Sequence, residues 1–224
     1  MFIATRTLDH GYLECACGSP LGECLSPGCP IWLGDPYGRQ PWKVGWALSE
    51  YSGSVAHDTR MGRLVNTAKY GSRPYAVRLK AADETAERLM SFINYLGDSH
   101  FQFDACITAP SHSLKELDLA EHLCKRISAG FGALDLSPLL FGRSQVQPMK
   151  SIPTPEARVR QLDESLKLNV SDMRDSPRAV LIVDDVFESG ATATVIARNI
   201  AAAWPQARIE VVTATHKTGR KVTL

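Results

Sequence analysis

Residues 180–192 read Val-Leu-Ile-Val-Asp-Asp-Val-Phe-Glu-Ser-Gly-Ala-Thr. An apolar run that fits a buried strand ends in two adjacent acids, and a short Ser/Gly/Thr loop then opens a helix. The chemistry open to such a pattern is recognition of a phosphorylated sugar. Gly190 permits close backbone approach, while the loop turns N–H groups, the Ser189 and Thr192 hydroxyls and the positive end of a helix toward a phosphate. Asp184 and Asp185 are placed to accept hydrogen bonds from sugar hydroxyls and to help hold a hydrated Mg²⁺, because hard divalent cations select carboxylate oxygens. Both acids fall at the carboxyl end of a strand, the edge at which open α/β sheets bind ligands.

A second concentration of chemistry lies near the start of the chain. Cys15, Cys17, Cys24 and Cys29 are spaced C-x-C-x6-C-x4-C, and Gly18, Pro20, Gly22, Pro27 and Gly28 between them supply tight turns. Four thiolates converging on one tetrahedral ion suit structural Zn²⁺. An iron–sulfur cluster and a loop of unpaired thiols are the competing readings, and His10 is available to replace one sulfur. Cys106 and Cys124 stand apart and fall in apolar patterns that fit a core.

The elements that must position these groups follow from periodicity. Residues 1–45 are rich in Gly, Pro and Cys and read as a small metal-tied module; residues 46–224 form the main domain, with Trp32, Trp42 and Trp46 near the junction. In that domain Asp83 is placed to cap a helix carrying Ala86, Leu89, Met90, Ile93 and Leu96, with Gly97 to end it. The run Phe103–Pro110 reads as a strand, and Leu117, Ala120, Leu123, Cys124 and Ile127 mark the next helix. Residues 141–178 are polar, hold Arg143, Lys150, Arg158 and Arg160, and read as a long loop acting as a lid or linker. Apolar runs at 179–183 and 209–214 flank a helical pattern at Ile196, Ile200 and Ala203. Alternating strands and helices of this kind predict an α/β fold with a mostly parallel sheet covered on both faces.

The 224 residues carry 25 Lys+Arg against 24 Asp+Glu, and 44% are hydrophobic. That composition excludes a disordered chain, and the absence of a long uncharged apolar run argues against a membrane span. The start shows no basic stretch followed by an apolar run, so a cytoplasmic location is expected. A formal charge of +1 gives no overall pull toward nucleic acid.

The stretch 180–192 resembles the phosphoribosyl pyrophosphate signature of the type I phosphoribosyltransferases. Within that superfamily the chain resembles the ComF-type proteins, which join a cysteine-rich N-terminal module to this domain and carry Tyr-Gly and Lys-Tyr elements between the two. Tyr51, Gly53, Lys69, Tyr70 and Gly71 stand in those places. The resemblance implies that Glu188, Ser189, Gly190, Ala191 and Thr192 hold the ribose 5-phosphate and that Asp184 and Asp185 hold the ribose diol. It implies a pyrophosphate loop at Ala109, Pro110, Ser111, His112 and Ser113, and further contacts to phosphoribosyl pyrophosphate from Lys69 and from Arg158 or Arg160 in the lid. The family's usual Arg-Gly-Phe-Asn-Gln element is replaced here by the stretch 113–123.

The activity so implied is Mg²⁺-dependent transfer of phosphoribose to a nucleobase or related amine, with Asp184, Asp185 and Glu188 as its catalytic set. The 6-oxopurine salvage enzymes have an acid at the position of Glu188, where it takes up a proton from the purine ring; the other reading makes Glu188 a solvent-facing acid or a partner for a lid arginine. The alternative function is a ComF-type role in DNA uptake, in which the pocket senses a ligand and basic residues such as Lys217, Arg220, Lys221, Lys69, Arg73 and Arg78 meet single-stranded DNA.

Overall fold

The computed structural model describes residues 30–33, 41–51, 59–70, 72–97, 101–110, 116–142, 152, 154–171, 173 and 175–217. The Cys15, Cys17, Cys24 and Cys29 set, and the zinc expectation with it, lies outside the described residues. So do Gly53, Gly71, Arg143, Lys150, Arg220 and Lys221.

The strongest local signal builds the centre of the sheet. The unbroken apolar run at 179–183 forms most of β7 (Ala179–Phe187), a strand with both faces covered, which is why it lacks a polar alternation. It is flanked by β8 (Arg208–His216) and β3 (Ala105–Ile107), both parallel to it, with Val183 opposite Val212 and Cys106 opposite Leu181. β4 (Leu134–Asp135) extends the sheet beyond β3. On the other side β2 (Val44–Glu50) pairs parallel with β8, and β1 (Ile31–Trp32) closes that edge antiparallel to β2. The order among the described strands is β1-β2-β8-β7-β3-β4. The chain leaves β3 outward to β4 and returns on the opposite side of β3 to form β7, so the strand order reverses between β3 and β7. A crevice at the carboxyl ends of those two strands is the expected ligand position in such a sheet.

Alternate residues of β7 feed two cores. Leu181 and Val183 pack with Trp46, Cys106 and Val212 beneath α1 (Arg60–Lys69), α2 (Tyr75–Leu96) and α3 (Leu119–Phe131). Val180 and Ile182 pack on the other face with Ile107, Val211 and the Val195, Ile196 and Ile200 side of α5 (Ala191–Ala203). Cys106 and Cys124 are fully buried, as their apolar settings predict; burial pushes the Cys124 thiol up to about 12, so neither behaves as a nucleophile at neutral pH. Trp42 and Trp46 are buried, and the Trp42 indole donates to the Leu33 carbonyl at 3.2 Å, which ties β1 to the body of the sheet. Ile31–Trp32 and Val44–Gly45, within the span read as a Cys-rich module, are therefore strands of the main sheet.

Two expectations are corrected. Asp83 does not cap α2: the helix begins eight residues earlier, after Pro74, and Asp83 lies in its interior, 2.9 Å from His122 of α3. Buried Ala81, Ala82 and Arg78 continue the apolar face N-terminally. Gly97 does end the helix, with φ +61. The stretch 141–178 is not structureless. Its described residues include part of β5 (Leu140–Gly142), α4 (Pro155–Ser165) and β6 (Leu166–Leu168); β5 and β6 pair antiparallel. α4 packs Leu162 into the core under α5, and Arg198 of α5 reaches Asp163 at 2.9 Å. No described helix is long and apolar enough to cross a membrane.

Candidate functional site

At its carboxyl end β7 delivers Asp184 and Asp185, and the turn Glu188–Gly190 leads directly into α5. Gly190 has φ +71, a left-handed conformation that opens the first turn of the helix without any side-chain cap. A Cβ at that position would lie 2.7 Å from Cζ of Phe187, whose ring is wedged between Trp42 (centroids 6.1 Å apart) and His216 (5.8 Å). The uncapped N–H groups of α5 and the turn line one end of a cavity of about 570 Å³. Tyr51, Lys69, Tyr70, Arg158 and Lys217 line the rest of it.

Lys69 comes from the last turn of α1, a helix fixed at both ends. At its start the Thr59 hydroxyl donates to the Glu50 carbonyl at 2.5 Å and accepts from the Gly62 N–H at 2.9 Å. Near its end the buried Arg78 guanidinium donates to the carbonyls of Ala68 (3.2 Å) and Leu117 (3.3 Å). Held this way, the Lys69 ammonium stands 2.8 Å from Oδ1 of Asp185, with the lysine side chain 28% and the aspartate 9% exposed. Burial works against that ammonium, but the charge and hydrogen bond of Asp185, with the further charge of Asp184, keep its pKa above the ordinary lysine value.

Asp184 accepts the Asp185 N–H at 2.8 Å through Oδ1. Burial first, and the Asp185 carboxylate second, push the Asp184 carboxyl up to about 7 against the pull of Lys69 and of that N–H. In the unfolded chain the same carboxyl titrates near 4. Across roughly pH 4 to 7 the folded protein therefore keeps a proton on Asp184 that the unfolded chain has lost, so stability from this group falls as pH rises through that window. Asp184→Asn is expected to melt with the wild type at pH 4 and several degrees above it at pH 8. Equal melting temperatures at pH 8 would contradict the burial argument.

Glu188 is half exposed and lies between two cations, with Oε1 3.7 Å from Nη1 of Arg158 and Oε2 3.9 Å from Nζ of Lys217. Arg158 is oriented by donating from Nε to the Ile152 carbonyl at 2.9 Å, and the Lys217 backbone extends the β7–β8 ladder by bonding the Phe187 carbonyl at 2.8 Å. The cavity thus collects three acids and three bases on one edge of the sheet.

The fold brings together Asp184, Asp185, Glu188, Ser189, Gly190, Ala191, Thr192, Lys69 and Arg158. It does not bring in Arg160, which is exposed on α4, or Pro110, which follows β3 outside the cavity lining. Ser111, His112 and Ser113 lie outside the described residues. Of the basic residues read as a nucleic-acid surface, Lys69 and Arg78 are engaged inside the protein. Lys217 joins the cavity instead, which only the length and register of β8 determine.

Asp184 and Asp185 have the oxygen chemistry that Mg²⁺ selects, yet Oδ1 of Asp185 already holds an ammonium and Oδ1 of Asp184 already accepts a backbone donor. This donor set fits a resident Mg²⁺ poorly. Among the described residues no group of three or more His, Cys, Asp and Glu side chains converges where a metal ion could be held. No protein-family model matches the chain, and no curated protein matches it.

Proposed function

We propose that this pocket binds phosphoribosyl pyrophosphate and that the protein is a type I phosphoribosyltransferase-like enzyme, transferring phosphoribose to a nucleobase or related amine. One observation carries the reading: an acid pair, a left-handed glycine turn and an uncapped helix start follow one another along a single β7–α5 connection, at the carboxyl end of a parallel strand.

In this reading the 5-phosphate sits on the N–H groups at Ser189–Thr192 with the Ser189 and Thr192 hydroxyls, and the ribose hydroxyls donate to Asp184 and Asp185. Arg158 and Lys69 face the diphosphate, and any Mg²⁺ arrives on that diphosphate as part of the substrate. The acceptor nitrogen attacks carbon 1 of the ribose: a C–N bond forms, the C–O bond breaks with its electron pair leaving on the diphosphate, and the proton of the nitrogen passes to water or to the departing diphosphate. Positioning and charge stabilisation supply the rate, and no side chain forms a covalent intermediate. For Glu188, flanking cations at 3.7 and 3.9 Å favour a counter-ion that holds Arg158 and Lys217 beside the phosphate turn over a general base.

The test is thermal stabilisation. Phosphoribosyl pyrophosphate at 100 times its dissociation constant is expected to add ~2.7 kcal/mol, about 5 to 10 °C for a chain of this size, with a smaller gain from ribose 5-phosphate. No shift with either ligand, with Mg²⁺ present, removes the proposal. Steady pyrophosphate release with one base supports the transferase over a ligand-sensing protein; salt-dependent binding of single-stranded DNA without turnover reverses that preference.

A further inference from the structure

Two carboxylates side by side at the mouth of a phosphate turn repel an anionic ligand unless a cation stands with them. Here the cation is part of the chain. The Lys69 ammonium is 2.8 Å from Asp185, largely withdrawn from water, and set at the cavity wall by a helix whose cap Thr59 accepts the Gly62 N–H and bonds the Glu50 carbonyl at the end of β2, and whose Ala68 carbonyl accepts from Arg78. A surface lysine pays ordering entropy to make such a contact; this one is ordered by the fold before any ligand arrives. A divalent ion on Asp185 would have to share that carboxylate with an ammonium that the fold holds in place.

Resting on the sugar-phosphate reading above, we propose that Lys69 is the pocket's built-in cation, so that the pocket binds phosphoribosyl pyrophosphate without a divalent metal ion. The ammonium has three donors, one directed to Asp185, and the others are available to phosphate oxygens. Glu188 stands as the counter-ion to Arg158 and Lys217 beside the phosphate turn, so those two cations are partly neutralised by the chain itself.

Calorimetric titration with phosphoribosyl pyrophosphate, in excess EDTA and again with Mg²⁺, tests this. For the wild type the two dissociation constants are expected to agree within about fivefold, and Lys69→Met is expected to weaken binding in EDTA by about tenfold or more, with Mg²⁺ restoring part of the loss. Lys69→Arg, which keeps the charge, retains binding in EDTA. Should Lys69→Met fail to fold, the wild-type pair and Lys69→Arg decide between them. Wild-type binding that appears with Mg²⁺ and vanishes in EDTA overturns the inference and leaves the pocket reading standing, as does Lys69→Met binding in EDTA as tightly as the wild type. Absence of binding under both conditions defeats the pocket reading and this inference with it.

Discussion

Gly62→Ala is expected to destabilise the protein by ~3 kcal/mol or more, a fall of about 6 to 12 °C in melting temperature, although the substitution sits inside a helix, where alanine is ordinarily the better residue by about 1 kcal/mol. The sign is decided by what the new methyl group meets. A Cβ at residue 62 would lie 1.7 Å from the Tyr51 carbonyl oxygen and 2.8 Å from its carbon. These are backbone atoms at the end of β2, and Tyr51 N–H is itself bonded to the His216 carbonyl at 2.8 Å, so they cannot rotate aside as a flexible side chain does. To relieve the overlap, α1 has to move off the sheet. That breaks the Thr59 hydroxyl contact to Glu50 and uncovers Met61 and Val65 from the core. It also draws Lys69 away from Asp185, so weaker binding of phosphoribosyl pyrophosphate accompanies the loss of stability. Urea unfolding of the two proteins measures the first effect. A variant that matches or exceeds the wild type would show that helix propensity outweighs the close approach and that α1 is not seated as described.

The contrast between α1 and β7 shows which parts of this molecule its sequence makes legible. The β7–α5 connection is local: strand, acids, turn glycine and helix start are consecutive residues, and the chemistry of each limits the next, so the strand, turn and helix start of the candidate site could be read before the fold was known. β3, α3, α5 and β8 were legible for a related reason, since a parallel strand buried on both faces shows as an apolar run and a core-facing helix as a stripe. For α1 the signal was there, in Met61, Leu64, Val65 and Ala68 at helical spacing, but it is short and interrupted by Gly62, whose role is set by a carbonyl from another element. α4 was obscured by its composition: buried Leu162 and half-buried Val159 are a thin stripe among charges, and the helix gains its place by packing on α5, which starts 26 residues after α4 ends. Thr154, which accepts the Ala157 N–H, was the available start signal. The Lys69–Asp185 and Arg158–Glu188 pairs bridge separations of 116 residues and 30 residues, and no spacing rule reaches that far.

Gly190→Ala is expected to weaken phosphoribosyl pyrophosphate binding at least ~100-fold while costing the free protein only ~1 to 2 kcal/mol of stability. The two numbers come from different consequences of one methyl group. The stability loss reflects a non-glycine residue held at φ +71, which is modest for a single position, together with the 2.7 Å approach to Phe187 Cζ. That ring is not free to swing away without disturbing its contacts with Trp42 and His216, so part of the strain passes to the turn. The affinity loss follows because a phosphate is held by several N–H groups aimed at one point, each charge-assisted bond contributing roughly 1.5 to 3 kcal/mol, and a turn that opens by a few tenths of an ångström misdirects two or more at once. Two such bonds lost give ~3 kcal/mol or more, which is the hundredfold. Asp184 and Asp185 precede the turn on an undisturbed strand, so the ribose contacts survive, and the loss should be shared by ribose 5-phosphate and by phosphoribosyl pyrophosphate. Calorimetry with both ligands reads this out: a comparable fold-loss for the two places the 5-phosphate on the Glu188–Thr192 turn, whereas a loss confined to phosphoribosyl pyrophosphate would put the diphosphate there instead and reverse the orientation of the sugar in the cavity.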